Sequence, residues 1–474
     1  MIELRNVRWS YSGADSVVLD GLDLRVGRGE TVVLCGPSGS GKSSVLRLMN
    51  GLIPHFHQGT LAGEIRVAGS PIADLAQAGR LTGTVLQHPR RQFFTDAVDT
   101  ELAFASENFG ADPRCIRDRV GAVMAGLGLD AFSGTRLREL SGGQQQRVAC
   151  AAAVTHEPPV LLLDEPTSNL SPQGIADLTA VLYRLRERGT TIVIAEHRLH
   201  YLRHLADRIV VLHDGRVRKE WSRAEFAGLT EETMRAQGLR SLDPPEKADR
   251  TAAFARGPSV ATVRDTPACA VDRGVELIDI GCAFHGRRVL DIAYARLPAG
   301  VVTAVTGPNG AGKSTLARIL AGLQRHSGRV LLDGFALPRR RRQRETAIVM
   351  QDVQRQLFTD SVEAELRLGT PTEYAAHAPD LLAELDLGGC HRRHPLSLSG
   401  GQQQRLILAT ARLSGRRIIV FDEPSSGVDR RHLRSMTRVM RDLAAAGAVV
   451  VLISHDADLL VRAADQELRL RLLR

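Results

Sequence analysis

The runs Gly36-Pro37-Ser38-Gly39-Ser40-Gly41-Lys42-Ser43 and Gly307-Pro308-Asn309-Gly310-Ala311-Gly312-Lys313-Ser314 share the spacing G-x-x-x-x-G-K-S. In such a loop the glycines let successive backbone N–H groups point at phosphate, and the final hydroxyl reaches a magnesium ion. Lys42 and Lys313 are two of only four lysines in the 474 residues, the others being Lys219 and Lys247. Arginine carries most of the remaining positive charge, so these two positions stand out as places where a guanidinium will not serve. A compact ammonium on a flexible stem fits against the β- and γ-phosphates inside a tight backbone nest, where a planar guanidinium is too wide. Each loop follows a β-branched apolar run, Glu30–Cys35 or Val301–Thr306. Each then opens onto helix formers, Ser44–Met49 or Thr315–Leu320, that end near Gly51 or Gly322. The pattern predicts two nucleotide sites.

Acidic pairs follow two further apolar runs. Val160–Leu163 and Ile418–Phe421 read as strands buried on both faces, which places Asp164-Glu165 and Asp422-Glu423 at their carboxyl ends, where open α/β sheets bind ligands. The chemistry expected there is an aspartate that holds Mg²⁺ through water, with a glutamate as general base on the attacking water. His197 and His455 come after the strands Thr191–Ala195 and Val449–Ile453. A lone histidine after a strand is ordinarily a surface residue, but these two keep the register of the acidic pairs and of a repeated octad. The octad Leu140–Arg147 recurs unchanged as Leu398–Arg405, and the offset is 258 throughout: 399−141, 422−164 and 455−197. A constant register means two copies of one domain.

The ordered set of P-loop, glutamine loop, L-S-G-G-Q octad, Asp-Glu pair and histidine resembles the ATP-binding cassette (ABC) family over nearly the whole chain. The resemblance implies an α/β fold of two tandem P-loop cassettes, each with a RecA-like core, an antiparallel β subdomain and a helical signature subdomain. It implies ATP and Mg²⁺ as cofactors. Gly36 to Ser43 with Ser44, and Gly307 to Ser314 with Thr315, would cradle phosphate. Ser43, Gln87 and Asp164 would serve one Mg²⁺, and Ser314, Gln351 and Asp422 the other. Glu165, Glu423, His197, His455, Gln87 and Gln351 would carry hydrolysis. By the same resemblance Ser141, Gly142, Gly143 and Gln144 contact the nucleotide over Lys313, and Ser399, Gly400, Gly401 and Gln402 the one over Lys42, so ATP closes the halves head to tail within one polypeptide and no homodimer is required. Tyr11 and Phe284, matched on the N-terminal strands, would stack on adenine. Ser168-Asn169-Leu170-Ser171 departs from Ser426-Gly427-Val428-Asp429, where the second half keeps the usual aspartate. Both sites are nonetheless expected to hydrolyse ATP.

After each glutamine the halves share R-Q-x-F-T-D-x-V-x-x-E-L: Arg91 to Leu102 and Arg355 to Leu366. With Asn50-Gly51-Leu52-Ile53-Pro54-His55-Phe56 and the tandem arrangement, this resembles the fused ATPase subunits of energy-coupling factor (ECF) importers. The implied partners are a transmembrane coupling subunit and a membrane substrate-binding subunit, the implied cargo a small nutrient such as a vitamin, vitamin precursor or metal ion, and the implied location the cytoplasmic face of the membrane. Val98 and Leu102 should pack inward, while Asp96, Glu101, Asp360 and Glu365 are expected to meet arginines on the partner. The rivals are a soluble tandem ATPase acting on ribosomes or nucleic acid, against which a short proline-bearing linker speaks, and a tandem sugar-importer ATPase, against which Lys313, Glu423 and His455 speak.

Other features carry less. No stretch approaches the roughly 18 apolar residues of a membrane span, and Met1-Ile2-Glu3-Leu4-Arg5 is no signal peptide. Six cysteines without C-x-x-C spacing fit free thiols in a reducing compartment. The run Arg339–Arg344, in a chain of net charge +9, reads as a solvated face, and no nucleic acid partner is expected. His55 and His57 lack a third ligand for a metal. Domain boundaries are placed at 1–237 and 274–474, with a polar, proline-bearing linker at 238–273.

Overall fold

The computed structural model describes residues 1–13, 17–168, 170–242, 273–284, 286–350, 352–425 and 427–473. Gln351, Asn169, Ser426 and most of the expected linker therefore lie outside the described residues. The chain divides into two units, Met1–Asp243 and Pro244–Arg474. Leu239 and Leu242, in the stretch assigned to the start of the linker, are buried in the core of the first unit.

In the first unit, the strands β3 (Thr31–Cys35), β7 (Val160–Asp164) and β8 (Thr191–Ala195) are buried almost throughout, as continuous β-branched and leucine runs should be when both faces are covered. Alternation sends their side chains into two cores. Val32, Leu34, Leu162 and Val193 join Val45, Leu48 and Met49 of the P-loop helix Lys42–Met49. Val33, Cys35, Leu161, Leu163, Ile192 and Ile194 face the helices Gly142–Thr155 and Pro172–Glu187. With β6 (Thr82–Val85), β9 (Arg208–His213) and β10 (Arg216–Ser222) they form a sheet of order β10-β9-β3-β8-β7-β6. All its pairs are parallel except β9–β10. Because β3, β6, β7 and β8 run the same way, their carboxyl ends bring the P-loop, Gln87, Asp164-Glu165 and Glu196-His197 to one edge.

A separate antiparallel sheet, β2-β1-β4-β5, is built from β1 (Ile2–Tyr11), β2 (Leu19–Val26), β4 (Gly59–Val67) and β5 (Ser70–Pro71). The helices Val98–Asn108 and Pro113–Leu127 pack against Gly142–Thr155 as the helical part.

The second unit repeats the plan. Its antiparallel sheet, β12-β11-β14-β15, comprises β11 (Gly274–Phe284), β12 (Arg287–Pro298), β14 (Ser327–Leu332) and β15 (Phe335–Ala336). Its parallel sheet has the order β16-β17-β18-β13-β19: β16 is Thr346–Val349, β17 Ile418–Asp422, β18 Val449–Ile453, β13 Val302–Thr306 and β19 Gln466–Arg469. The helices Val362–Arg367 and Ala378–Glu384 pack on Gly400–Leu413. The expected division into core, antiparallel and helical parts is present in both units. No helix of the described residues is long and apolar enough to cross a membrane.

Candidate nucleotide sites

Each P-loop turns between its strand and its helix through glycines that no other residue could replace. Gly36 has φ 142°, and a Cβ there would stand 2.1 Å from the Leu212 carbonyl; Gly307 has φ 144°, with 2.5 Å to the Leu470 carbonyl. The ammonium of Lys42 donates to the carbonyls of Gly36 (3.1 Å) and Pro37 (3.0 Å), and that of Lys313 to Gly307 (2.8 Å) and Pro308 (3.0 Å). Both lysines are thus curled over their own loops and held by backbone carbonyl acceptors. Burial holds Lys313 below the ordinary lysine range, while Glu423 and Asp422 pull the other way.

The hydroxyl of Ser43 donates to Asp164 Oδ1 at 2.9 Å. Burial, and then the neighbouring Glu165, push Asp164 up to about 6; burial likewise raises Asp422, against a hydrogen bond from Ser314. A buried carboxylate paired with a single hydroxyl is poised for a cation. These Ser–Asp pairs therefore fit a magnesium ion in both units.

Glu165 and Glu423 both have left-handed backbone, φ 45° and 49°. Strain of this kind in a non-glycine residue is of order 1–3 kcal/mol and persists where the surroundings enforce it. Here the enforcing bonds run from Glu165 N to the Ala195 carbonyl (2.8 Å) and from Glu423 N to that of Ile453 (2.9 Å). The turn aims each carboxylate at its histidine: His197 Nε2 lies 3.4 Å from Glu165 Oε1 and His455 Nε2 3.7 Å from Glu423 Oε1. Gln87 Nε2 donates to Glu165 Oε2 at 2.9 Å. In the second unit His455 Nε2 also meets Asn309 Oδ1 of the P-loop at 3.1 Å.

The octads begin helices. Ser141 and Ser399 cap Gly142–Thr155 and Gly400–Leu413, and Gln144 and Gln402 complete capping boxes by accepting from the serine N–H at 2.8 and 2.9 Å. The next glutamines, to which the sequence reading gave no role, reach back to the segment after the glutamine loop. Gln145 accepts from Arg90 (3.0 Å), and Gln403 from Gln354 (3.2 Å).

The shared R-Q-x-F-T-D motif now has a structural reason. Glu101 Oε2 accepts from Phe94 N (3.0 Å), Thr95 N (2.9 Å) and the Thr95 hydroxyl (3.0 Å). Glu365 Oε2 accepts from Phe358 N (2.9 Å), Thr359 N (2.9 Å) and the Thr359 hydroxyl (2.8 Å). Gln92 and Gln356 anchor the other end of each loop to Leu86 N and Met350 N. Glu101 and Glu365, expected to meet a partner's arginines, are instead buried loop staples, because three convergent donors leave them satisfied within their own unit. Asp96 and Asp360 stay exposed, Asp96 within 3.9 Å of Arg136. What the staples present is Phe94 and Phe358, each about three-quarters exposed, with Phe94 stacked on Phe104.

Tyr11 and Phe284 end the equivalent strands β1 and β11. The Tyr11 hydroxyl binds Ser44 Oγ and the Arg47 guanidinium, both at 3.0 Å, and its ring meets Trp9 and His57 edge-on. In the arginine run, Arg342 is buried beside His326, whereas Arg339, Arg340, Arg341 and Arg344 are exposed.

Two P-loops over parallel sheets, each with an acidic pair and a histidine at the carboxyl edge, define a P-loop ATPase with two sites. The ABC transporter family model matches residues 19–168 and 290–426, and the chain belongs to that family. A protein of Treponema denticola named "Putative ABC transporter ATP-binding protein" is 38% identical over 97% of this chain and 93% of its own length. A Bacillus subtilis protein named "Putative HMP/thiamine import ATP-binding protein" is 29% identical over 99% of this chain and 88% of its own. Among solved structures, the RNase-L inhibitor shares the fold at a TM-score of 0.61 and 21% identity, covering 98% of this chain and 87% of that one.

Proposed function

We propose that this ATPase is the energy-coupling subunit of an ECF-type importer, which drives uptake of a small nutrient through separate membrane subunits at the cytoplasmic face of the membrane. The observation that carries the reading is the duplicated, stapled loop with its exposed phenylalanine, next to the glutamine loop in both units. An exposed aromatic on a loop held by four or more hydrogen bonds is a preorganised anchor for a partner helix. The resemblance to a thiamine-import ATPase supports the same direction.

Within this reading Lys42 and Lys313 neutralise the β- and γ-phosphates, and the backbone of Gly36–Ser44 and Gly307–Thr315 orients them. Ser43, Asp164 and Gln87 hold one Mg²⁺; Ser314 and Asp422, with Gln351, hold the other. The metal, when bound, supplies charge neutralisation on the phosphate oxygens. Glu165 and Glu423 orient and deprotonate water, and His197 and His455 position them. Tyr11 and Phe284 flank the base. The signature residues Ser141–Gln144 and Ser399–Gln402, each at the start of a helix, contact nucleotide. The linker, which begins after Leu242 and not at 238, joins the two units.

The test is purification of the tagged chain from membranes of its native host, identification of the companions, and an ATPase assay of the complex. Recovery of a small multi-helix coupling protein with a substrate-binding membrane protein, both lost in F94A/F358A, is the expected result. Recovery of ribosomes with no membrane protein overturns the reading in favour of the soluble rival.

A further inference from the structure

The residue before the switch histidine differs between the units. It is Glu196 in the first and Ser454 in the second, at the common offset 454−196 = 258. Glu196 is 2% exposed. Its Oε1 accepts from the Thr167 hydroxyl and from the Tyr201 hydroxyl (3.2 Å), and its Oε2 accepts from the backbone N–H groups of His197 (2.7 Å) and Arg198 (3.4 Å). The Arg198 guanidinium closes the cluster on the Thr167 carbonyl at 3.1 Å. One buried carboxylate thus ties the turn after Glu165 to the loop that bears His197. Burial pushes Glu196 up from the usual glutamate range, while the Thr167 and His197 bonds pull it back. Burial, with Glu196 alongside, pushes the Tyr201 phenol well above its ordinary value, so it remains a donor.

The second unit lacks all three members: Ser425, Ser454 and Leu459 occupy the places of Thr167, Glu196 and Tyr201, each 258 residues on. Its switch loop is fastened differently. The Ser454 hydroxyl (3.4 Å) and the His455 N–H (3.2 Å) both donate to Oε2 of Glu423, and Ser454 Oγ accepts from Asp456 N at 3.0 Å. In the first unit the N–H of the histidine is therefore taken by Glu196, and Glu165 accepts instead from the Gln87 amide at 2.9 Å; in the second unit the histidine N–H falls on the carboxylate assigned as general base. Donors on a carboxylate stabilise its ionised form and weaken it as a base.

We propose that Glu196, with Thr167 and Tyr201, is a positioning residue that takes the switch-loop N–H away from Glu165, so that the Lys42 site hydrolyses ATP faster than the Lys313 site. This rests on the assignment of Glu165 and Glu423 as the general bases. Asymmetry is then written into the residue before each histidine, although the P-loop lysine, the glutamine, the octad, the Asp-Glu pair and the histidine are kept in both halves.

The test uses the full chain. Vanadate trapping of a photoreactive ATP analogue, followed by peptide mapping, reports which unit has turned over. Label on the first unit is expected to exceed that on the second by at least about threefold. E196Q keeps an acceptor but removes the charge; it should reduce the ratio to about one and lower kcat about fivefold, with KM for ATP within about twofold. E196D should restore part of both. Equal labelling in the unmodified chain, or an E196Q effect confined to KM, overturns the proposal. Melting curves and binding of a fluorescent ATP analogue separate misfolding of E196Q from loss of positioning, and Y201F, which removes one donor at the far end of the cluster, should shift the ratio the same way. If E165Q and E423Q still trap vanadate in their own units, the underlying base assignment has failed instead, whatever E196Q does.

Discussion

Replacement of Glu101 by alanine would remove one acceptor and strand two backbone donors, Phe94 N and Thr95 N, while the Thr95 hydroxyl would keep only the Ala97 carbonyl as acceptor, at 3.1 Å. A buried donor left without a partner costs about 1–3 kcal/mol. These bonds are only part-buried, and water can reach a relaxed loop, so the lower half of that range applies and E101A should cost about 3 kcal/mol in all. Glutamine keeps an oxygen for the two N–H groups and loses only charge assistance, so E101Q should cost about 1 kcal/mol. In a unit of 150–250 residues each kcal/mol moves Tm by about 2–4 °C. The E101A melt of the first unit should therefore drop by about 6–12 °C and that of E101Q by about 2–4 °C. Scanning calorimetry of the nucleotide-free full chain reads both, and E365A provides a replicate, because Glu365 makes the same three bonds in the second unit. If Glu101 were instead a partner-facing charge, E101A would melt with the unmodified protein and lose only its companions. That outcome would refute the staple.

E165Q and E423Q should each abolish trapping in their own unit while still binding ATP, as measured with a fluorescent analogue; continued turnover in a variant unit would remove the glutamate from the role of base. Asp164 titrates near 6 in the fold against 3.8 in the open chain. Because the folded value is the higher, the cost of ionising it is full above about pH 6 and disappears as pH falls towards 3.8, so this group stabilises relatively at low pH. D164N should raise the Tm of the metal- and nucleotide-free protein at pH 7.5, by up to about 3 kcal/mol of stability, and by clearly less at pH 5; an equal gain at both would exclude the burial effect. Burial pushes the thiols of Cys35 and Cys150 up to about 12. Iodoacetamide at pH 8 should therefore spare both until the chain unfolds, while half-buried Cys115 reacts; early labelling of Cys35 would mean that the strand leading into the P-loop opens readily.

Much of the site was legible because its residues sit at the ends of strands whose apolar runs declare themselves. Parallel strands expose their function at one edge, so Lys42, Asp164 and His197 could be placed together before any coordinate was known. The constant offset of 258 then transferred the assignments to Asp422 and His455, and the repeated G-x-x-x-x-G-K-S spacing did so for Lys313. The glutamates of the shared loop motif were misjudged for a local reason. An acidic residue one turn into a surface helix is read as solvent-facing, and nothing in the letters of Phe94-Thr95 announces that their N–H groups turn inward to meet it. Glu196 was passed over as the leader of a histidine motif. The signal existed, since Thr167, Glu196 and Tyr201 change together to Ser425, Ser454 and Leu459, but their meeting depends on a turn that spacing alone does not define. Gln145 and Gln403 were hidden by a similar cause: the partners they reach belong to a different part of the unit.

The capping boxes at Ser141 and Ser399 have a consequence for polarity. A serine hydroxyl has one proton and two lone pairs. In both helices a lone pair is spent on the N–H of the residue three positions on. The proton stays available for another acceptor, beside the backbone N–H groups at the start of the helix. Each helix start is therefore rich in donors. It would greet a phosphate oxygen and turn away a cation or another donor, and helix capping alone sets that preference before any nucleotide arrives.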